Sequence, residues 1–232
     1  MLLLHEVHHV RGQAEDEFEA AFRHGWMTAL AGSDDARLLW FLHHAHGSGP
    51  AYHVVTITAL RDGAAWEDLA RRIHDGDLRQ WARDVDELRH GVVGKLMVPV
   101  SWSPMQDLDL AAVPTGGGEH ELSIYMEDTG WPHAPIDDYV SFWETHYYGP
   151  MRAQASALLD IQAVFRTAFG TGRRKEAVLM QKVVNHQALL GLLTTEVPAA
   201  MRRPGAFMHD ALEYRDQWES RLLRTSAWSP LY

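Results

Sequence analysis

An internal repeat constrains the fold of this chain more than any other feature of its sequence. Residues 95–104 read KLMVPVSWSP and residues 222–230 read LLRTSAWSP, so a short apolar segment runs into Trp-Ser-Pro twice. Residues 43–60 and 165–184 each read as a strand, a turn containing Gly-Ser-Gly or Gly-Thr-Gly, and a second strand, which is the pattern of a β-hairpin. Because these features recur in the same order, the sequence predicts two copies of one structural unit.

Each copy has the same predicted order of elements. A strand-like segment and an amphipathic helix precede each hairpin, and a longer helical stretch follows it. In chain order these segments are residues 2–10, 15–31 and 64–91 in the first half and residues 120–128, 136–158 and 186–220 in the second. The closing strand then completes the order β-α-β-β-α-β, which is that of the ferredoxin-like fold.

Two such units in one chain predict an α+β barrel. A single ferredoxin-like sheet leaves one face uncovered, and the sheets of two units can cover each other by closing into a barrel. The predicted fold is therefore two tandem ferredoxin-like βαββαβ units that form an intrachain dimeric α+β barrel. A Gly-rich linker at residues 111–119 is expected to join an N-terminal unit, residues 1–110, to a C-terminal unit, residues 120–232.

The composition excludes several classes of protein. The 232 residues include no cysteine, which excludes a disulfide scaffold, a thiolate zinc site, an iron–sulfur cluster and a cysteine nucleophile. The formal net charge of −10 disfavours nucleic acid as a partner. No apolar run approaches the roughly 20 residues that a membrane-spanning helix needs, and the first residues lack the basic segment of a secretory signal. We therefore expect a cytoplasmic protein, as a monomer or a homodimer.

Several segments resemble one known family. The chain end ESRLLRTSAWSPLY, residues 219–232, resembles the closing strand of NIPSNAP-family domains, and GKLMVPVSWSPM, residues 94–105, is a looser copy. The segment ELSIYM, residues 121–126, is similar to the first strand of that family. The resemblance implies the dimeric α+β barrel group, whose members include cofactor-free monooxygenases, isomerases, dehydratases and haem enzymes. The family has no settled catalytic residues to carry over, so the fold does not determine the function.

Strand alternation assigns side chains to the two faces of the predicted barrel wall. In the first strand of the second half, Ile124 and Met126 are expected to pack under the helices. Four polar side chains of this half are expected to face the barrel interior and to form a network where the two units meet. These are Tyr125, Glu127, Arg166 and Gln181.

The helix-side face of the first half is predicted to be polar where its counterpart is apolar. Matching the two copies places on that face Glu6, His8, Trp40, Leu42, His44 and His53. The first helix brings Phe22, His24 and Trp26 close to them. Burying a carboxylate and several imidazoles costs several kcal/mol unless they are paired or solvated, so the pattern predicts a polar pocket between sheet and helices of the N-terminal half. The C-terminal half is expected to complete the barrel without taking part in catalysis.

The predicted pocket suits acid–base chemistry on a small hydrophobic substrate. A histidine titrates near neutral pH, and a neighbouring carboxylate can tune it. The candidate catalytic residues are His8, His44, Glu6, His24 and His53. The candidate substrate-binding residues are Trp26, Trp40, Phe22 and Leu42. The expected enzyme acts on a carbonyl-bearing or aromatic molecule, as a cofactor-free monooxygenase, an isomerase or a cyclase does.

Two alternatives stay open. Two histidines and a carboxylate can hold iron or zinc, and a histidine can ligate haem, so the first alternative is a His-ligated metal or haem enzyme. The segment HEVHH at residues 5–9 is not the HExxH zinc motif and lies on a predicted strand, so we assign no metal ligand and expect no cofactor. The second alternative is a non-catalytic binding or scaffold protein, since the NIPSNAP family includes interaction proteins.

Overall fold

Eight antiparallel strands close into one barrel in the computed structural model, which describes residues 1–153 and 158–232. The strands are β1 (Leu2–Val10), β2 (Ala36–His44), β3 (His53–Leu60), β4 (Arg89–Pro99), β5 (Ile124–Trp131), β6 (Leu159–Thr167), β7 (Ala177–Val183) and β8 (Gln217–Thr225). Around the barrel they follow the order β1-β3-β2-β8-β5-β7-β6-β4.

Each half contributes one sheet with the strand order of a ferredoxin-like unit. The first half supplies β4-β1-β3-β2 and the second supplies β6-β7-β5-β8. The sheets join where β2 pairs with β8, with Leu42 opposite Thr225, and where β4 pairs with β6, with Met97 opposite Thr167. The predicted fold of two tandem βαββαβ units in an α+β barrel is therefore confirmed. The exact unit boundaries stay a prediction.

Helices cover the outer face of each sheet. In the first half they are α1 (Glu15–Ala20), α2 (Met27–Leu30), α3 (Gly63–His74) and α4 (Arg79–Glu87). In the second half they are α5 (Ile136–Trp143), α6 (Gly149–Ala153), α7 (His186–Thr194) and α8 (Phe207–Asp210). A π-helical turn joins α1 to α2 at Ala21–Trp26, and another joins α5 to α6 at Glu144–Tyr148, so the repeat extends to this detail.

Two findings bear on the predicted helices. Of the helix predicted at 136–158, residues 154–157 lie outside the described residues. Among the helices of the described part of the chain, none combines the length and the hydropathy needed to cross a bilayer.

The closing strands begin earlier than the sequence pattern predicts. β4 begins at Arg89 and β8 at Gln217, within stretches predicted to be helical. Arg89 lies opposite Val10 of β1, and Gln217 lies opposite Trp131 of β5. Because tertiary context overrides weak local helix propensity, pairing with these strands extends the sheet into both stretches.

An apolar core fills the middle of the barrel and belongs to both units. Trp40 of the first sheet meets Tyr125 of the second edge to face, with 6.1 Å between the ring centroids. Phe165 and Met180 are fully buried in the same cluster. The two sheets therefore bury one common core, as two ferredoxin-like units in a barrel require.

Four side chains predicted on the helix side face the barrel instead. These are Trp40, Leu42, His44 and His53. In β2 the register shifts between Leu38 and Trp40, and a bulge of one residue reverses the faces of all residues that follow it. In β3, His53 lies opposite His9, and paired residues of neighbouring strands share a face.

Two side chains predicted in the barrel lie on the helix side instead. Arg166 follows an equivalent bulge in β6, where the register shifts between Ile161 and Ala163. Gln181 lies opposite Met126, and both point toward the helices. Of the four residues predicted to form a polar network in the barrel, Tyr125 and Glu127 are therefore the two that face inward.

Candidate functional site

Aromatic side chains fill the space between sheet and helices of the N-terminal half. Phe22 lies 5.5 Å from Phe41, and Trp26 stacks on Trp81 with 4.6 Å between ring centroids. Trp26 also donates a hydrogen bond from Nε1 to the hydroxyl of Thr58, at 3.1 Å. Phe22 and Trp26 are thus buried core residues, and the structure places a packed core where the sequence predicts a pocket.

His8 and Glu6 belong to a polar group within this core. Arg89 donates to Nδ1 of His8 at 2.7 Å, so the ring hydrogen is on Nε2, which donates to the hydroxyl of Thr56 at 2.9 Å. Burial and the guanidinium charge hold the pKa of His8 well below its usual value. Burial raises the pKa of Glu6, which lies 4.0 Å from His8, to about 7. Because both ring nitrogens of His8 have partners, this histidine has no nitrogen left for a substrate.

The remaining predicted site residues are dispersed. His24 is exposed on the π-helical turn after α1, and Trp40 and Leu42 are buried inside the barrel. His44 and His53 line one mouth of the barrel, on the opposite face of the sheet from His8. The structure therefore does not bring His8 and His44 together as one acid–base pair.

The histidines at the barrel mouth border a cavity of about 570 Å³. The rings of His44 and His53 lie 5.3 Å apart, and His53 stacks on His9 with 4.1 Å between centroids. Burial, with the charge of Arg221, lowers the pKa of His44 to about 4. His44 is therefore a neutral imidazole at pH 7.

A buried pair at the same mouth connects the two units. Nε2 of His5, in β1, lies 2.8 Å from Oε2 of Glu127, in β5, and each side chain is 1% exposed. Arg221 of β8 lies 3.5 Å from the other carboxylate oxygen. Burial alone would raise the pKa of Glu127, but the contacts with His5 and Arg221 prevail and lower it to about 2. Glu127 therefore faces the barrel, as predicted, in its ionised form.

A second cavity, of about 360 Å³, lies between sheet and helices of the C-terminal half. Its aromatic lining residues are Tyr139, Trp143, Tyr147, Phe207 and Trp218. The volume is within the roughly 300–1,000 Å³ that small-molecule sites occupy, and such sites are mostly apolar with a few polar groups. The C-terminal half therefore carries the kind of pocket that the sequence predicts in the N-terminal half.

A carboxyl group at the wall of this cavity has a perturbed pKa. Tyr147 donates from its hydroxyl to Oε1 of Gln181 at 2.7 Å, and Nε2 of Gln181 donates to Oδ2 of Asp128 at 2.8 Å. Burial raises the pKa of Asp128 to about 6 and the pKa of Tyr147 above its usual value. Oδ1 of Asp128 has no hydrogen-bond partner among the residues that the structure describes. Asp128 is thus an oriented carboxylate at the cavity wall, and the Ser220 hydroxyl and the charge of Arg215, which lower its pKa, only partly offset burial.

Local structure explains how the side chains reach the cavity. In β5 the alternation of the strand turns Glu127 into the barrel and Asp128 toward the helices. The π-helical turn Glu144–Tyr148 carries His146 and Tyr147, which both line the cavity. π-helical turns are rare in proteins as a whole, but those that occur are frequently found at functional sites.

Sequence reasoning missed the residues of this cavity. The alternation that correctly assigns Met126 to the helix side also assigns Asp128 to it, so extending it by one step would have placed a carboxyl group under the C-terminal helices. Tyr147 lies in the segment 136–158, which the sequence predicts only as an amphipathic helix. Phe207 lies within the stretch 186–220, which the sequence predicts only as helical, so no local signal places it beside the cavity.

The structure offers no ready arrangement of metal ligands within residues 1–153 and 158–232. No group of three His, Asp or Glu side chains there is placed to hold a metal ion. The candidate catalytic histidines His8 and His44 lie on opposite faces of the sheet. The expectation that the protein works without a cofactor stays a prediction.

Solved structures of low sequence identity share the fold over nearly the whole chain. A monooxygenase-like protein from Lactobacillus acidophilus superposes with a TM-score of 0.59 and 9% identity, over 99% of this chain and 96% of that one. An anthrone oxidase-like protein superposes with a TM-score of 0.57 and 11% identity, over 97% of this chain and 91% of that one. At these identities the likeness shows the α+β barrel fold alone.

Other comparisons give no family. A NIPSNAP domain protein from Burkholderia xenovorans is 18% identical over 44% of this chain and 97% of its own. Its TM-score of 0.36 is too low to support a shared fold. No family model matches the sequence, and no curated protein matches it either. The NIPSNAP resemblance therefore stays a prediction, and the chain is similar in fold to monooxygenase-like and oxidase-like α+β barrel proteins.

Proposed function

We propose that the protein is an enzyme that removes a proton from an apolar, aromatic or carbonyl-bearing small molecule in the C-terminal cavity. The observation that carries this proposal is Asp128, whose pKa of about 6 suits a general base at the wall of an apolar cavity and whose Oδ1 has no hydrogen-bond partner in the described part of the chain. General-base catalysis is most effective when the pKa of the base lies near the working pH. Burial supplies that shift here and prevails over the Ser220 hydroxyl and the charge of Arg215, which both lower the pKa.

The surroundings of Asp128 suit this role. The chain of hydrogen bonds from Tyr147 through Gln181 ends on Oδ2, so the carboxylate is held in one orientation. Trp143 and Phe207 offer flat apolar surfaces to an aromatic substrate. Orientation of base and substrate is itself a large contribution to catalysis, since it replaces an encounter between two free molecules.

The proposed reaction class is a cofactor-independent oxygenation. The names of the structural neighbours, monooxygenase-like and anthrone oxidase-like, support this choice. For an anthrone, a C–H bond of the methylene group breaks, the proton goes to Asp128, and the electron pair stays on the substrate as an enolate. The enolate then reacts with molecular oxygen, and anthrone and oxygen yield anthraquinone and water.

Oxygen uptake with anthrone tests the proposal. We expect the protein to accelerate uptake over buffer and Asp128→Asn to lower kcat by about 10²- to 10⁴-fold, because the amide cannot accept the proton. Asp138→Asn, the same chemical change at an exposed position of α5, should have no effect. A wild-type rate in Asp128→Asn contradicts the proposal. Binding of anthrone without acceleration favours the alternative of a non-catalytic binding protein.

A further inference from the structure

The hydrogen bond between His5 and Glu127 at the barrel mouth has a defined donor and a defined acceptor. Ionised Glu127 can only accept hydrogen bonds, so the hydrogen between the two side chains belongs to Nε2 of His5. When the ring is neutral, its lone pair is therefore on Nδ1, which has no hydrogen-bond partner among the described residues. A carboxylate that fixes the tautomer of a histidine and stabilises its protonated form is the arrangement found in general-base pairs.

The cavity beside His5 contains further polar atoms without partners. Both ring nitrogens of His44 and Nε1 of Trp131 are buried and have no hydrogen-bond partner within residues 1–153 and 158–232. The side chains of His5, His44 and Trp131 all line the cavity of about 570 Å³. Buried polar atoms are nearly always hydrogen-bonded, so this concentration of them indicates a place that a polar ligand completes.

The charges around the cavity favour a ligand that is neutral when it binds. Three cationic side chains, of Lys95, Arg173 and Arg221, border the cavity. Lys95 contacts Glu176, and Arg221 lies 2.7 Å from Glu219 and 3.5 Å from Glu127. Acidic and cationic groups therefore balance, and a permanent anion gains no excess of positive charge. A negative charge that forms within the cavity still lies close to the cations.

We propose that the barrel mouth is a second site, independent of the C-terminal cavity, which binds a small neutral molecule with a weakly acidic hydroxyl, a phenol or an enol, and deprotonates it with His5. The hydroxyl O–H bond breaks, its proton goes to Nδ1 of His5, and the electron pair stays on the oxygen of the ligand. The protonated ring is held by the carboxylate of Glu127. Glu127 is a positioning residue, because it acts through His5 and does not touch the ligand.

Binding of 4-nitrophenol tests the site, because its phenolate absorbs visible light and its neutral form does not. At a pH below the pKa of the free phenol, adding wild-type protein should produce a saturable phenolate band. The methyl ether 4-nitroanisole, which has no acidic hydrogen, should not compete with comparable affinity. In His5→Gln the phenolate band should be about tenfold weaker or absent, since a charge-assisted pair is lost.

Substitutions of the two neighbouring carboxylates of β5 distinguish binding at one site from binding at the other. Glu127→Gln should weaken the phenolate band about tenfold and shift its pH dependence, whereas Asp128→Asn, on the other face of the strand, should leave the band unchanged. A band of wild-type strength in folded His5→Gln overturns the proposal. So does a band that is lost in Asp128→Asn and kept in Glu127→Gln, which would move binding to the C-terminal cavity.

A measurement on the wild-type protein tests the site even if a variant fails to fold. Nitrogen-15 NMR of the histidine rings should show hydrogen on Nε2 of His5 and a bare Nδ1, and 4-nitrophenol should move the Nδ1 resonance toward that of a protonated nitrogen. A hydrogen on Nδ1 in the free protein, or an Nδ1 resonance unaffected by saturating 4-nitrophenol, overturns the proposal.

Discussion

The carboxyl groups of Glu127 and Asp128, which are consecutive in β5, lie on opposite faces of the barrel wall and have opposite pKa shifts. Contacts with His5 and Arg221 lower the pKa of Glu127 to about 2, whereas burial without a cationic partner in hydrogen-bond contact raises the pKa of Asp128 to about 6. Two titratable groups whose environments push their pKa values apart can take different chemical roles. Glu127 is the permanent charge of the barrel mouth, and Asp128 is the group that can gain and lose a proton near neutral pH.

Activity should depend on the ionisation of Asp128. A general base must be deprotonated, so kcat/KM for anthrone should rise with pH through about 6 and fall about tenfold per pH unit below it. Measurement of initial rates between pH 4 and pH 8, in buffers of constant ionic strength, checks this. A profile that is flat across pH 6 would rule out Asp128 as the base.

Glu127→Gln should destabilise the protein most at neutral pH. The folded-state pKa lies below the ordinary value of 4.5, so the contacts of the ionised carboxylate contribute stability above pH 4.5, which is lost as pH falls toward 2. Breaking a buried pair costs about 3–5 kcal/mol. Urea unfolding of both proteins should therefore give a large difference at pH 7 that shrinks as the pH is lowered to 3. A difference that is independent of pH contradicts the assignment.

Glu6→Gln should have the opposite pH dependence. Burial raises the folded-state pKa of Glu6 from 4.5 to about 7, so the folded state binds the extra proton and loses stability as pH rises through this interval. The variant should be roughly 2–3 kcal/mol more stable than wild type at pH 8 and similar to it at pH 4. Thermal unfolding at the two pH values measures this, and equal melting temperatures at pH 8 would count against it.

These residues also show how far the sequence predicts the structure. The alternation of β5 places Met126 and Glu127 correctly, and the Trp-Ser-Pro repeat predicts the barrel, because both depend on local patterns. The bulge after Leu38 has no such pattern, so Trp40 and all later residues of β2 were assigned to the wrong face. The sequence predicts one pocket for His8, His44 and His53, whereas the structure places His8 in a packed core and the other two at the barrel mouth.

The C-terminal cavity also depends on the absence of a side chain at Gly130. A Cβ atom there would lie 2.9 Å from ring atoms of Tyr139, whose hydroxyl accepts a hydrogen bond from Nε of Arg215 at 2.8 Å. Gly130→Ala should therefore displace Tyr139, cost about 1–3 kcal/mol of stability and raise KM for anthrone.

Gly191→Ala is the matched control for this change. A Cβ atom at Gly191 in α7 meets no atom of residues 1–153 and 158–232 within 4 Å, and alanine favours a helix over glycine by about 1 kcal/mol. This variant should be slightly more stable than wild type, with unchanged KM. Parallel unfolding and kinetic measurements compare the two, and equal effects at both positions would contradict the close contact between Gly130 and Tyr139.

The position of a bound aromatic ligand tests the central claim most directly. A crystal structure of the protein with anthraquinone, the product of the proposed reaction, should show the ligand between Trp143 and Phe207 with a polar edge near Oδ1 of Asp128. Anthraquinone in the N-terminal half, beside His8, or only at the barrel mouth, beside His5, would contradict the assignment of the substrate cavity to the C-terminal half.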